Sequence, residues 1–202
     1  MNQPDPRTAQ VHRQTAETDV QVHLRLDGSG QVAADTGLPF LDHMLAQLGR
    51  HGLFDLTVKA QGDLAVDAHH TVEDVALVLG DAFQQSLGDR TGIRRMAAAL
   101  VPLDEALAQV AVDLSGRSYA VCDLALRGPT VGDIESDLWR HFCHSLAQTG
   151  RLTLHVRVLA GQNDHHRLEA VFKALARALD EATQLDPRRA GHVPSTKGTL
   201  TK

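Results

Sequence analysis

The chain has 202 residues, with 20 Lys plus Arg against 25 Asp plus Glu, and a formal net charge of −5 with its 12 histidines neutral. That length suits one domain or two small packed halves, and 43% apolar with 22% charged content excludes a wholly disordered chain. Net acidity and 3% aromatics supply neither the basic surface nor the stacking platform that nucleic-acid binding needs, and no apolar run reaches the ~18 residues of a membrane span.

The opening MNQPDPRTAQ has no apolar signal core, and Cys122 with Cys143 cannot build a disulfide scaffold, so a cytoplasmic location is expected. Residues 1–12 read as a flexible N-terminus by composition. Alternation predicts a strand over Asp19–Leu26, and Asp27-Gly28-Ser29-Gly30 is a hairpin-turn signal. A helix carrying FLDHML follows, then a strand through Phe54–Val58 and a turn at Gln61-Gly62-Asp63. A second helix begins at His69-His70 and places Val75, Ala76, Val78, Leu79 and Phe83 on one face. Strands are predicted at Ala108–Asp113 and Tyr119–Leu124. Then come a helix with RHFCHSL, a strand at Leu152–Val156 and a turn at Gly161-Gln162-Asn163-Asp164. The last helix starts at His165-His166 and aligns Ala170, Phe172, Leu175, Ala176 and Leu179. Residues from about 187 onward read as loosely ordered, with 198–202 as a tail.

A repeat runs through this order. His69-His70-Thr71-Val72-Glu73 matches His165-His166-Arg167-Leu168-Glu169, 96 positions later. Upstream, His43 pairs with either His144 or His141. The His141 register, 98 positions on, is preferred because it also aligns Leu56 with Leu154 and Val58 with Val156 without a gap. The expected fold is α+β, an internal duplication of two similar halves (about 13–97 and 98–186), each a small β-sheet with helices packed on one face.

The repeated residues have metal-ligand chemistry. On a helix, His69 and Glu73 are i, i+4, and His70 and Glu73 are i, i+3, so all three project from one turn. Adjacent histidines diverge by about 100° and suit two different ions better than one. With His43 and His141, the set holds six histidines and two glutamates. Such nitrogen-rich donors favour a transition metal over Mg²⁺ or Ca²⁺. His51, His144 and His155 are read as ordinary. Asp42 and Asp74 are expected to hydrogen-bond ligand imidazoles, and Asp164 to cap the last helix.

FLDHML, DAHHTVEDVALVLG, LDEALAQVAVDLSGR and GQNDHHRLEAVFKALARAL, in this order, resemble the imidazoleglycerol-phosphate dehydratase family of histidine biosynthesis. The end motifs Arg13–Thr18 and Pro194–Gly198 extend the likeness over about 13–197. The resemblance implies a hydro-lyase converting imidazole glycerol phosphate to imidazole acetol phosphate and water. It also implies two Mn²⁺ ions per active site, which bind the substrate imidazole as imidazolate, and a shell of 24 subunits assembled from trimers. Carried over, the metal ligands are His43, His69, His70, Glu73, His141, His165, His166 and Glu169, the eight that the repeat also selects. Phosphate would be held by Arg95, Arg117, Ser195 and Lys197. Glu17 would be a substrate-facing acid or base, and Glu169 a ligand that also moves protons. The family's aromatic and glycine after the phosphate-side arginine are replaced by Met96 and Ala97, which leaves open whether Arg94 or Arg95 holds the phosphate. Other readings of the same residues are a non-catalytic metal-binding shell and a metallophosphatase.

Overall fold

The computed structural model describes residues 7–200. The first half runs β1 (Thr8–Gln14), β2 (Thr18–Arg25), β3 (Val32–Asp35), α1 (Pro39–Gly52), β4 (Asp55–Gly62), α2 (His69–Leu87). The second runs β5 (Met96–Leu103), β6 (Ala106–Asp113), β7 (Tyr119–Asp123), a two-residue pair β8 (Thr130–Val131) and β9 (Ile134–Glu135), α3 (Ser136–Gly150), β10 (Thr153–Ala160), α4 (Asp164–Thr183). A 3₁₀ turn, Pro187–Arg189, follows.

Each half forms a four-stranded sheet of the same plan, β1-β2-β4-β3 and β5-β6-β10-β7. In each, the first three strands are antiparallel and the last joins in parallel. The α+β reading in two similar halves therefore holds. Alternation along β2 and β6 turns Val20, Val22 and Leu24, and Ala106, Ala108, Val110 and Val112, onto the helices. The apolar helix positions expected from sequence are all buried. At ~1.5–3 kcal/mol for each large apolar side chain, these faces fix how the helices sit.

The helices pack across the halves. α2 lies on the first sheet and against α3, while α4 lies on the second sheet and against α1. Phe54 meets Phe83 edge-on within the first half, and Trp139 of α3 meets Phe172 of α4. α1 and α3 each end in a left-handed residue, Leu53 (φ 56°) and Arg151 (φ 48°). That conformation turns the chain straight into β4 or β10.

Three expectations are corrected. The stretch 1–12 was expected to be flexible; Thr8–His12 instead belong to β1, paired with β2, and residues 1–6 lie outside the described residues. Only Ala9 and Val11 of β1 face inward, so its hydrophobic signal is faint. The boundary expected between 97 and 98 falls inside β5, and the halves meet instead in the connection between Leu87 and Met96. Asp27–Gly30 is not a hairpin, because β4 lies between β2 and β3. That turn is tied to β4, where Asp55 accepts hydrogen bonds from the Ser29 and Gln31 amides.

Candidate metal centre and active site

Among the described residues two groups of ligand atoms form, each within 4.8 Å of one another: His43 with His165 and Glu169, and His69 with Glu73 and His141. Each joins an α1-type helix to an α2-type helix of the other half, so the two are one arrangement used twice. His141 occupies the place of His43. This supports the preferred register; His144 instead lines a separate surface hollow with Tyr119 and Gln148.

In the first group, Nε2 of His43 and Nε2 of His165 each donate to Glu169 Oε2 at 3.1 Å. Lys173 Nζ lies 2.7 Å from the other carboxylate oxygen. Burial pushes the Glu169 carboxyl up, but these hydrogen bonds outweigh it and hold it down at about 2. Phe40 packs edge-on against His165. In the second group, His141 Nε2 is buried and 3.1 Å from Glu73 Oε1, yet it has no hydrogen-bond partner among the described residues. The ring of His69 stacks beside it, centroids 4.8 Å apart.

A buried ring nitrogen aimed at a carboxylate oxygen without sharing a proton suits a cation between them. Two donors at about 2.1 Å from one ion stand at most about 4.2 Å apart. Ligand atoms already within 4.8 Å of one another can close on an ion by small side-chain movements. The donor set fits a transition-metal ion in both places.

His70 and His166 stand outside both groups. Nδ1–H of His70 donates to Asp63 (3.0 Å), and Nδ1–H of His166 donates to Glu105 (2.7 Å). Those hydrogen bonds raise both imidazole pKa values. Glu105 also accepts the amides of Asn163 and Gln162. The Asn163 amide first, then His166 and the Gln162 amide, hold its carboxyl at about 2. Glu17, in the β1–β2 hairpin, places Oε2 3.7 Å from Nε2 of His70.

The four expected phosphate residues converge. Arg95, Arg117, Ser195 and Lys197 line a cavity of about 760 Å³ with Arg189 and His192. Arg95 sits there because its guanidinium is clamped by Asp113 (2.7 and 3.0 Å) and donates to the Pro194 carbonyl. Arg94 turns outward to Glu181. The cavity shares no residue with either metal group.

The supporting acids differ from expectation. Asp42 accepts from Thr36 at the start of α1, and Asp74 from Arg13 and Thr18; neither meets an imidazole. Both side chains instead join helices to strands ahead of them. Asn163, not Asp164, caps α4. Asp164 binds the amides of Arg127 and Gly128 and the Arg167 guanidinium. Sequence reading assigned no site role to Asp63, Lys173, Arg189 or His192. Lys173 had a signal, four residues after Glu169 on the same helix face.

Comparison with known proteins decides the family. Residues 36–179 match the family model described as imidazoleglycerol-phosphate dehydratase. The chain belongs to this family. It is 59% identical over 194 residues to the imidazoleglycerol-phosphate dehydratase of Dehalococcoides mccartyi (strain ATCC BAA-2266 / KCTC 15142 / 195), spanning 96% of this chain and 97% of that one. The crystal structure of the Staphylococcus aureus N315 enzyme superposes with a TM-score of 0.80 at 32% identity, covering 89% of this chain and 99% of that chain. The Pyrococcus furiosus enzyme in complex with (S)-C348 gives 0.81 at 34%, covering 94% and 100%. As a member of the imidazoleglycerol-phosphate dehydratase family the chain is a hydro-lyase. No helix among the described residues is long and apolar enough to cross a membrane.

Proposed function

We propose that the protein removes water from imidazole glycerol phosphate to give imidazole acetol phosphate in histidine biosynthesis, with two Mn²⁺ ions per active site. The observation that carries this reading is the pair of equivalent His/His/Glu groups beside a separate cationic cavity. His43, His165 and Glu169 would hold one ion, and His69, Glu73 and His141 the other. His70 and His166 would complete the coordination from neighbouring copies in a 24-subunit shell built of trimers. When bound, the ions would supply Lewis acidity that eases loss of the ring N–H proton, and the electron-rich imidazolate would help expel the hydroxyl.

The chain's own residues do the rest. Arg95 and Arg117 would grip the phosphate with paired N–H donors, and Lys197 as a point charge beside Ser195. That grip restricts the glycerol chain and turns remote binding energy into rate. Glu17 would move a proton at the hydroxyl oxygen or at the neighbouring carbon. Glu169 would be a ligand that also moves protons.

Separation of cavity and metal groups favours dehydration over a metallophosphatase, which would bring phosphate onto the metals. The test is one assay with Mn²⁺ and imidazole glycerol phosphate that follows ketone and free phosphate separately. Ketone without phosphate is expected. Phosphate alone would establish the phosphatase, and stoichiometric metal with no turnover would establish a storage shell.

A further inference from the structure

The second histidine of each pair has its Nδ1 occupied by a carboxylate, Asp63 for His70 and Glu105 for His166. In a neutral imidazole one nitrogen donates and the other accepts. A carboxylate at Nδ1 therefore keeps the proton there and leaves the lone pair on Nε2. It also fixes the ring plane, so the Nε2 lone pair has a set direction. The two carboxylates come from places that do not correspond. Asp63 follows β4, in the turn ahead of α2, whereas Glu105 stands in the β5–β6 hairpin. The counterpart of Glu105 in the first half is Glu17, in the β1–β2 hairpin. With Asp63 already on Nδ1, Glu17 approaches the other side of the ring, at Nε2.

We propose that Asp63 and Glu105 are positioning residues. Each holds its histidine as the Nδ1–H tautomer and presents Nε2 as a metal-ligating atom. In the first half Asp63 frees the hairpin carboxylate, Glu17, to face the ligand side. The proposal rests on the reading of His70 and His166 as metal ligands. Hydrogen-bonded carboxylates of this kind orient ligating imidazoles, and their loss typically weakens metal binding ~10–100-fold.

Asp63 gives the cleaner test. Its carboxylate has His70 as its one side-chain hydrogen-bond partner among the described residues. Mn²⁺ titration of the full chain, followed by the electron paramagnetic resonance of free Mn²⁺, should show Asp63→Ala binding at least one ion ~10–100-fold more weakly. Asp63→Asn, whose amide oxygen still accepts from Nδ1–H, should recover most of the affinity. Thermal unfolding of the metal-free variants should match the parent. In metal-free protein at alkaline pH, ¹⁵N-histidine spectra should place the His70 proton on Nδ1 in the parent and Asp63→Asn, and on Nε2 in Asp63→Ala. Glu105→Gln and Glu105→Ala should repeat the affinity and tautomer pattern for His166. Parent protein that binds no Mn²⁺ would overturn the metal reading itself. Parent protein that binds Mn²⁺, with Asp63→Ala equal in affinity and tautomer, would overturn the positioning role alone.

Discussion

In the first half, His70 is held from the turn ahead of its own helix; in the second, His166 is held from a hairpin of the adjoining strands. One residue further, the halves diverge again. Arg167 is buried and donates to the carbonyls of Ala125 and Gly161 and to Asp164, tying the start of α4 to two loops. Thr71 occupies the same place in α2, and its buried hydroxyl has no hydrogen-bond partner among the described residues. Strand order and ligand pattern are common to both halves, while the supporting contacts are not. Ligand geometry needs only matched helix faces, whereas support can come from whichever loop lies near. That freedom lets one hairpin glutamate anchor a ring and the other approach it.

The sharpest test of equivalence is removal of matched ligands. His43→Ala and His141→Ala should each lower bound Mn²⁺ from two ions per chain to one and abolish turnover, read by elemental analysis and ketone assay. Chelation of the parent should bring the particle down toward trimers by light scattering. Unequal metal losses would break the equivalence of the two groups. The next largest effect separates the two hairpins. Glu17→Gln should keep both ions and lower kcat by ~10²–10⁴-fold, whereas Glu105→Ala should act mainly through metal affinity. Full activity in Glu17→Gln would remove it from the chemistry.

The two adjacent arginines should differ as well. Arg117→Ala or Arg95→Ala should raise KM by about 10–100-fold, the worth of one charged hydrogen bond. Arg94→Ala, whose partner is the exposed Glu181, should leave KM unchanged. The smallest effect is a pH dependence. Glu105 and Glu169 both titrate at about 2 when folded, against ~4.3 for an unfolded glutamate. Depressed carboxyl values give stability that is complete above the unfolded pKa and is lost as pH falls through the folded one. Metal-free protein should therefore weaken between about pH 4.5 and 2 in urea titrations, with a shallower decline in Glu105→Gln.

The helix–strand–helix order of both halves was legible because apolar spacing of three and four, ended by turn residues, is a local signal. The eight candidate ligand residues were legible because they repeat, and six of them come together in the two groups. What joins them was not. Which ligand goes with which was left open, and His43 meets Glu169 and His69 meets His141 through helix packing that no local spacing encodes. Thr8–Gln14 escaped because its outward residues are polar and just two inward ones are apolar. Asp63 was visible as a turn residue, yet its contact with His70 depends on how that turn folds back over α2. Arg95 was separated from Arg94 once Asp113, on the neighbouring strand, was seen to clamp it.

The exchange of helices between halves has a consequence for the integrity of the molecule. α1 meets α4, and α3 meets α2, as matching surfaces do between two protomers of an isologous dimer. Neither half alone owns a full set of donors. A polypeptide severed between Leu87 and Met96 would recover ion binding when its two pieces re-associate, so occupancy reports whether the protein is whole.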